Sequence, residues 1–249
     1  MRFLKILIFI CLIVLCGIFI SSRTEAAGNI NVPILMYHYI GNNPNPKDLA
    51  RNTLSVSPDK FEAQMDYLAK NGYTPISLDT LYGIFNKQTT APSKPIVLTF
   101  DDAYQDFATT AFPILKKFNF QAISFVPTGL VGGSYYMNWN QIKEIAQTGL
   151  ITFEAHTVTH ATLTSLSLPN VLKQLQDSKN VLQSQTGYPV NFIAYPNGAT
   201  NASVQSDAQK VGFVGGLGTW SGRASGRSFN MPRIRITGQM SLKDFTSRL

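Results

Sequence analysis

The sequence predicts an α/β protein with enough parallel strand–helix repeats to close into a barrel. Three observations lead there. Short apolar runs alternate with helical stretches along most of the chain, the pattern of a parallel sheet crossed over by helices. About 220 residues remain beyond an N-terminal leader, enough for one sizeable core and within the range of a single barrel. His38, Asp101-Asp102, His156 and Asn197 each fall at or just after the C-terminal end of a predicted strand, the rim where such folds collect their chemistry.

Residues 1–26 are set apart from the fold. Arg2 and Lys5 precede an uncharged apolar stretch from Ile6 to Ile20, followed by Ser21-Ser22-Arg23-Thr24-Glu25-Ala26-Ala27. A basic start, an apolar run and small residues beyond it read as a secretory signal peptide cleaved after Ala26. An uncleaved N-terminal anchor is the alternative, although 15 apolar residues fall short of the ~20 that span a bilayer. The protein is therefore expected outside the cell, secreted or attached to its surface, with residues 31–249 as one domain. Both cysteines, Cys11 and Cys16, lie in the apolar run, so disulfides play no part in that domain. Setting aside Arg2, Lys5, Arg23 and Glu25 leaves 18 of the 21 basic and 13 of the 14 acidic residues, a net charge of about +5. That excess suits an anionic cell envelope; the basic residues are scattered, which argues against nucleic acid.

The elements follow in order. Val32 to Tyr39 reads as the first strand and Gly41-Asn42-Asn43-Pro44-Asn45-Pro46 as a loop. Ser57-Pro58 opens a helix, serine as cap and proline at the first helical position; Phe61, Met65, Leu68 and Ala69 follow at helical spacing, and Asn71-Gly72 closes it. A strand-like piece surrounds Ile76, Leu78 to Phe85 is a short helix, and Lys87 to Lys94 a polar loop. Pro95 to Phe100 is a buried strand. Phe107 to Phe118 reads as helix, Ala122 to Val126 as strand, Trp139 to Thr148 as helix stopped by Gly149, and Ile151 to His156 as strand. Leu168 to Thr186 is a long helix with Val171, Leu175 and Leu182 on one face, ended by Gly187. Phe192 to Tyr195 is strand, Ala202 to Val211 helix, Phe213-Val214 strand, Ile234-Arg235-Ile236 the last strand and Leu242 to Arg248 a final helix.

Two adjacent carboxylates at the mouth of an apolar strand are costly unless a cation or a substrate uses them. Alone, Asp101-Asp102 is a weak signal, because adjacent acids also cap helices. The segment His156-Thr157-Val158-Thr159-His160 changes this by adding two imidazoles from one short stretch. Two nitrogens and one carboxylate form a three-ligand site with room for water, the arrangement of a catalytic zinc, and the spare carboxylate is left as general base. The chain has only three histidines, and all fall on this rim. The combination points to metal-assisted hydrolysis.

These residues carry a resemblance. Thr99-Phe100-Asp101-Asp102-Ala103 is similar to the T-F-D-D-G motif of the polysaccharide deacetylases, the NodB-like carbohydrate esterases. His156 to His160 resembles their H-[ST]-x-x-H, and Ala194-Tyr195-Pro196-Asn197-Gly198 their R-x-P-[YF]-G. Ile34-Leu35-Met36-Tyr37-His38 resembles the opening of the subgroup acting on the biofilm polymer poly-N-acetylglucosamine, and the resemblance covers roughly residues 31 to 240. It implies a distorted (β/α) barrel holding a divalent metal ion, commonly zinc. By motif, Asp102, His156 and His160 are the ligands, Asp101 the general base, and the Asn197 backbone N–H a donor to the oxyanion. Most members take their general acid from a late Leu-x-His; no histidine follows His160, and in the biofilm subgroup the early Tyr-His supplies it, here His38.

Three positions depart from the motifs. Ala103 replaces a glycine, Asn197 an aromatic, and Ala194 an arginine that tethers the base. Arg233 is the candidate to supply that charge from a neighbouring strand. Trp139, Trp220 and Tyr135-Tyr136 are candidate sugar-stacking surfaces or ordinary packing aromatics. Gly215-Gly216-Leu217-Gly218 lacks the spacing and lysine of a phosphate loop and reads as a loop beside the site. The expected function is removal of N-acetyl groups from N-acetylglucosamine units of an extracellular polysaccharide by a monomer, with poly-N-acetylglucosamine favoured over peptidoglycan, chitin oligomers or acetylated xylan. The competing expectation is a carbohydrate-binding wall protein with a decayed site.

Overall fold

In chain order the elements are β1 (Ile34–Tyr37), β2 (Tyr39–Ile40), α1 (Leu49–Leu54), β3 (Ser55–Val56), α2 (Pro58–Lys70), β4 (Thr74–Pro75), α3 (Leu78–Phe85), β5 (Pro95–Phe100), α4 (Phe112–Lys117), β6 (Ala122–Val126), α5 (Trp139–Ala146), β7 (Ile151–Ala155), α6 (Leu168–Thr186), β8 (Phe192–Ala194), α7 (Ala202–Lys210), β9 (Gly215–Leu217), β10 (Ile234–Arg235) and α8 (Leu242–Thr246). This computed structural model describes residues 30–249; the predicted signal or anchor at residues 1–26 lies outside them. No helix among the described residues is long and apolar enough to cross a membrane.

The main sheet is parallel and curled, in the order β10-β1-β5-β6-β7-β8-β9, with β4 paired to the start of β5. Its two edges meet through one segment. Met231 pairs with Leu217 of β9, and Ile234 and Arg235 pair with Leu35 and Met36 of β1. The predicted distorted barrel is the observed architecture.

Side chains of successive strand residues point to opposite faces and so build two cores. Leu35, Leu98, Phe100, Phe153 and Ile193 face the surrounding helices, where Leu68, Leu115, Ile142, Leu175 and Leu182 cover them. Ile34, Val97, Ile123, Phe125, Phe192 and Ala194 form the inner core with Leu78, Leu81 and Tyr82 of α3. Full burial of each valine, leucine, isoleucine or phenylalanine among them contributes about 1.5–3 kcal/mol.

Three local departures from the sequence reading have physical causes. The helix expected from Phe107 begins as a π-helical turn, Phe107–Ala111, before α4. Pro113 has no N–H to offer and its ring would press on the preceding turn, so widening to the Phe112 N–H···O=C Phe107 bond accommodates it. Gly215-Gly216-Leu217 is a strand rather than a loop, with the expected Phe213-Val214 strand displaced onto it. A Cβ on Gly215 would lie 1.9 Å from the Tyr82 hydroxyl and one on Gly216 2.6 Å from that of Tyr195, so only glycine lets β9 approach these rings. Ser57 caps α2 by its backbone position alone, without a side-chain hydrogen bond.

Candidate active site

His38, Asp101, His156 and Tyr195-Pro196-Asn197 follow directly on the C-terminal ends of β1, β5, β7 and β8, so parallel register brings them to one rim. Asp102, His156 and His160 each offer one donor atom, and these atoms lie within 4.8 Å of one another. Both histidine Nε2 atoms face the same carboxylate oxygen, Asp102 Oδ1, at 3.4 Å from His156 and 3.3 Å from His160. His156 Nδ1 is 2.7 Å from the Ala194 carbonyl oxygen. A carbonyl only accepts, so Nδ1 carries the proton and Nε2 presents its lone pair to the cluster. Burial opposes charge on His156, but the hydrogen bond and charge of Asp102 raise its pKa above the usual value; burial and the neighbouring His156 lower that of His160. Three convergent donors of this type, two of them from buried residues, fit a divalent cation.

Asp101 is occupied differently. Arg233 is fully buried and grips it with two hydrogen bonds, Nη1 to Oδ1 at 2.7 Å and Nη2 to Oδ2 at 2.8 Å. Nε of the same guanidinium donates to the Gly218 carbonyl, and Nη1 also reaches Thr99 Oγ1. Burial alone would push the Asp101 carboxyl up, but the Arg233 charge and hydrogen bonds outweigh it and hold the group well below the usual carboxylate range. The position expected to hold an arginine, Ala194, contributes its carbonyl to His156, and the charge comes from the chain just before β10. His38 Nε2 stands 4.0 Å from Asp101 Oδ2, and its Nδ1 is buried without a partner. Burial lowers the His38 pKa, partly offset by the charges of Asp101 and Asp102.

Backbone strain is concentrated here. Among the described residues seven non-glycines have positive φ, and five of them are Asp102, Ala103, Thr157, His160 and Asn197. Each conformation costs an L-residue about 1–2 kcal/mol, strain tolerated where a site needs it. Asn197, at φ 60°, is a residue type that tolerates this region, and its Nδ2 donates to Thr162 Oγ1. Ala103, at φ 54°, occupies the conformation a glycine would favour. Ala103→Gly relieves about 1–2 kcal/mol but gives up a buried methyl and adds unfolded-chain entropy, each about 0.5–1 kcal/mol. The melting temperature is therefore expected to stay within about 3 °C of wild type by calorimetry, with turnover within about twofold. A large gain in rate would mark Ala103 as a lesion.

The sequence reading missed an aromatic stack beside the cluster. Arg51 of α1 lies 4.4 Å over the Tyr39 ring, Tyr39 stacks on Tyr104 at 3.8 Å, and Tyr104 on Tyr136 at 5.4 Å. The only signals were a tyrosine two places after Asp102 and one after His38; the partners come from separate segments. Of the stacking candidates, Tyr136 joins this wall, Tyr135 and Trp220 are exposed, and Trp139 packs against the outer core.

Asp106, beside Ile40 and Gly41, has Oδ1 buried and unpartnered, and burial raises its pKa to about 6. A carboxyl raised in the folded state makes the fold lose stability as pH rises from its unfolded value near 3.8 to about 6. Asp106→Asn is expected to match wild type at low pH and to gain about 2 kcal/mol on it above that window, read as melting temperature against pH. A constant offset would contradict the assignment.

Comparison with known proteins bears on this site. Residues 88–216 match the family model described as polysaccharide deacetylase. The chain is 31% identical over 221 residues to a putative polysaccharide deacetylase, YxkH, of Bacillus subtilis, covering 88% of this chain and 75% of that protein. It is 26% identical over 240 residues to the poly-β-1,6-N-acetyl-D-glucosamine N-deacetylase of Escherichia coli K12, covering 79% of this chain and 36% of that longer protein. Among solved structures, the Streptococcus pyogenes deacetylase PplD in complex with acetate superposes with a TM-score of 0.82 at 33% identity, over 88% of this chain and 98% of that one.

Proposed function

The chain belongs to the polysaccharide deacetylase family, and on that premise we propose that it removes N-acetyl groups from N-acetylglucosamine units of an extracellular polysaccharide, with poly-β-1,6-N-acetyl-D-glucosamine as the favoured polymer. The observation that carries this is the juxtaposition of two carboxylates with separate partners: Asp102 among two histidines, Asp101 clamped by Arg233. The choice of polymer rests on Tyr37-His38, on the lack of any histidine after His160, and on the name of the E. coli relative. Residues 31–249 act as the catalytic domain, as a monomer outside the cell, and the excess of basic residues holds it near the anionic envelope.

Asp102, His156 and His160 would hold a divalent metal ion, zinc being the ion that two imidazoles and one carboxylate suit. When bound, such an ion supplies Lewis acidity towards the acetamide carbonyl and lowers the pKa of a water molecule. The rest falls to the protein. Asp101, kept ionised by Arg233, accepts the proton of the attacking water as the new C–O bond forms. The clamp that keeps it ionised also makes it a weak base, so the proton passes on readily. His38, 4.0 Å away and neutral at rest, receives it and delivers it to the amine as the C–N bond breaks. The Asn197 N–H donates to the developing oxyanion. Acetate and a glucosamine unit leave.

The test is acetate release from poly-β-1,6-N-acetylglucosamine oligomers and from peptidoglycan in parallel, with His38→Ala alongside. Release from the oligomers, reduced about 100-fold or more in the variant, is the expected result. Release only from peptidoglycan would overturn the polymer and leave the chemistry. Release from neither, with zinc bound, would turn the assignment to a carbohydrate-binding wall protein.

A further inference from the structure

Away from the histidine rim, the sheet comes apart between β7 and β8. These strands pair only through Ala155 and Ile193. Before that point the Glu154 side chain takes the place of a strand partner, its Oε2 accepting from the Asn191 and Phe192 N–H groups at 2.8 Å each. Thr152, in mid-strand, is exposed. The opening forms a cavity of about 280 Å³ whose lining includes Ala146, Ile151, Phe153, Pro189, Glu154 and Asp79. Glu154 is 2% exposed, and its Oε1 accepts no hydrogen bond from the described residues.

We propose that this cavity is a second binding site, separate from the hydrolytic rim, for a small organic ammonium ion carrying an apolar body. The chemistry of the lining selects that class. Two carboxyl groups and no cation line the cavity, so an anionic ligand is rejected. Lys179, the basic residue near Glu154, is spent on the Val190 and Gly212 carbonyls. Apolar walls favour a hydrocarbon body, and the free Oε1 of the buried Glu154 carboxyl fixes the polar end by accepting a hydrogen bond from the ammonium. Asp79, exposed at the rim, supplies a negative charge while it accepts from Asn191 Nδ2. No step of the proposed hydrolysis uses these residues.

The probe is benzylammonium chloride, titrated by calorimetry and protein-observed NMR against benzyl alcohol and benzoate. Saturable binding at one site per chain is expected, with a dissociation constant on the order of a millimolar, as fragments of that size allow. Benzyl alcohol should bind at least about tenfold more weakly, and benzoate not at all. Thr152→Phe, which fills the mouth from an exposed position, should abolish binding while acetate release stays within about twofold, a spread that changes no barrier appreciably. Glu154→Gln should weaken it about tenfold. If Glu154→Gln does not fold, Thr152→Phe decides. Equal affinity for the alcohol and the ammonium, binding unaltered by Thr152→Phe, or no saturation would each overturn the proposal.

Discussion

Arg233→Met is expected to destabilise the protein by about 3–5 kcal/mol and to move the acid limb of its pH–rate profile upward by several units. Removing the guanidinium leaves Asp101 buried with no cation, and desolvation then drives its pKa up rather than down. In wild type the depressed carboxyl contributes stability that is present above its unfolded value near 3.8 and is lost only as pH falls through the folded value. In the variant that contribution is reversed. Asp101 is protonated near neutrality and turnover recovers only in alkali. A variant with reduced stability but an unmoved profile would confine Arg233 to packing. Arg233→Lys is the control: one charge without the two-pronged fork should restore part of the stability and little of the rate.

His156→Ala is expected to lose metal and activity together, turnover falling about 1,000-fold or more because both Lewis acidity and the nucleophile depend on the bound ion. The same holds for Asp102→Ala and His160→Ala. Asp101→Asn should separate the two properties, retaining zinc at one per chain while losing about 100–10,000-fold in turnover, the range that general-base catalysis supplies. Metal analysis by mass spectrometry beside acetate release checks both. Full metal retention by His156→Ala would contradict the ligand set.

Strong local signals made most of the fold legible. α3, β5, β6 and α6 occupy the residues the sequence assigns, because apolar runs or one-sided periods end at capping residues or at Gly187, left-handed at φ 78°. What was illegible lacked a period. α1 buries no residue, so no amphipathic stripe betrays it, yet it carries Arg51 onto Tyr39. β2 and β3 are two residues long each, too short for alternation. β9 is glycine-rich for the sake of its neighbours' rings, which only the packed structure reveals. The residues of the rim were legible because parallel register fixes where strand ends meet. The Arg233–Asp101 contact spans 132 positions and followed from a charge that the motif lacks at Ala194. The Tyr39–Tyr104–Tyr136 wall, assembled from three segments, left no comparable mark.

The central claim is that one chain, with one metal ion on Asp102, His156 and His160, hydrolyses the N-acetyl bond. The most direct measurement is acetate released from poly-β-1,6-N-acetylglucosamine oligomers by the zinc-loaded protein and by the same preparation after chelation and re-addition of zinc. Release that stops on chelation, returns with one equivalent of zinc and does not return in His156→Ala is the predicted result. Release that survives chelation, or that His156→Ala performs at the wild-type rate, would contradict it.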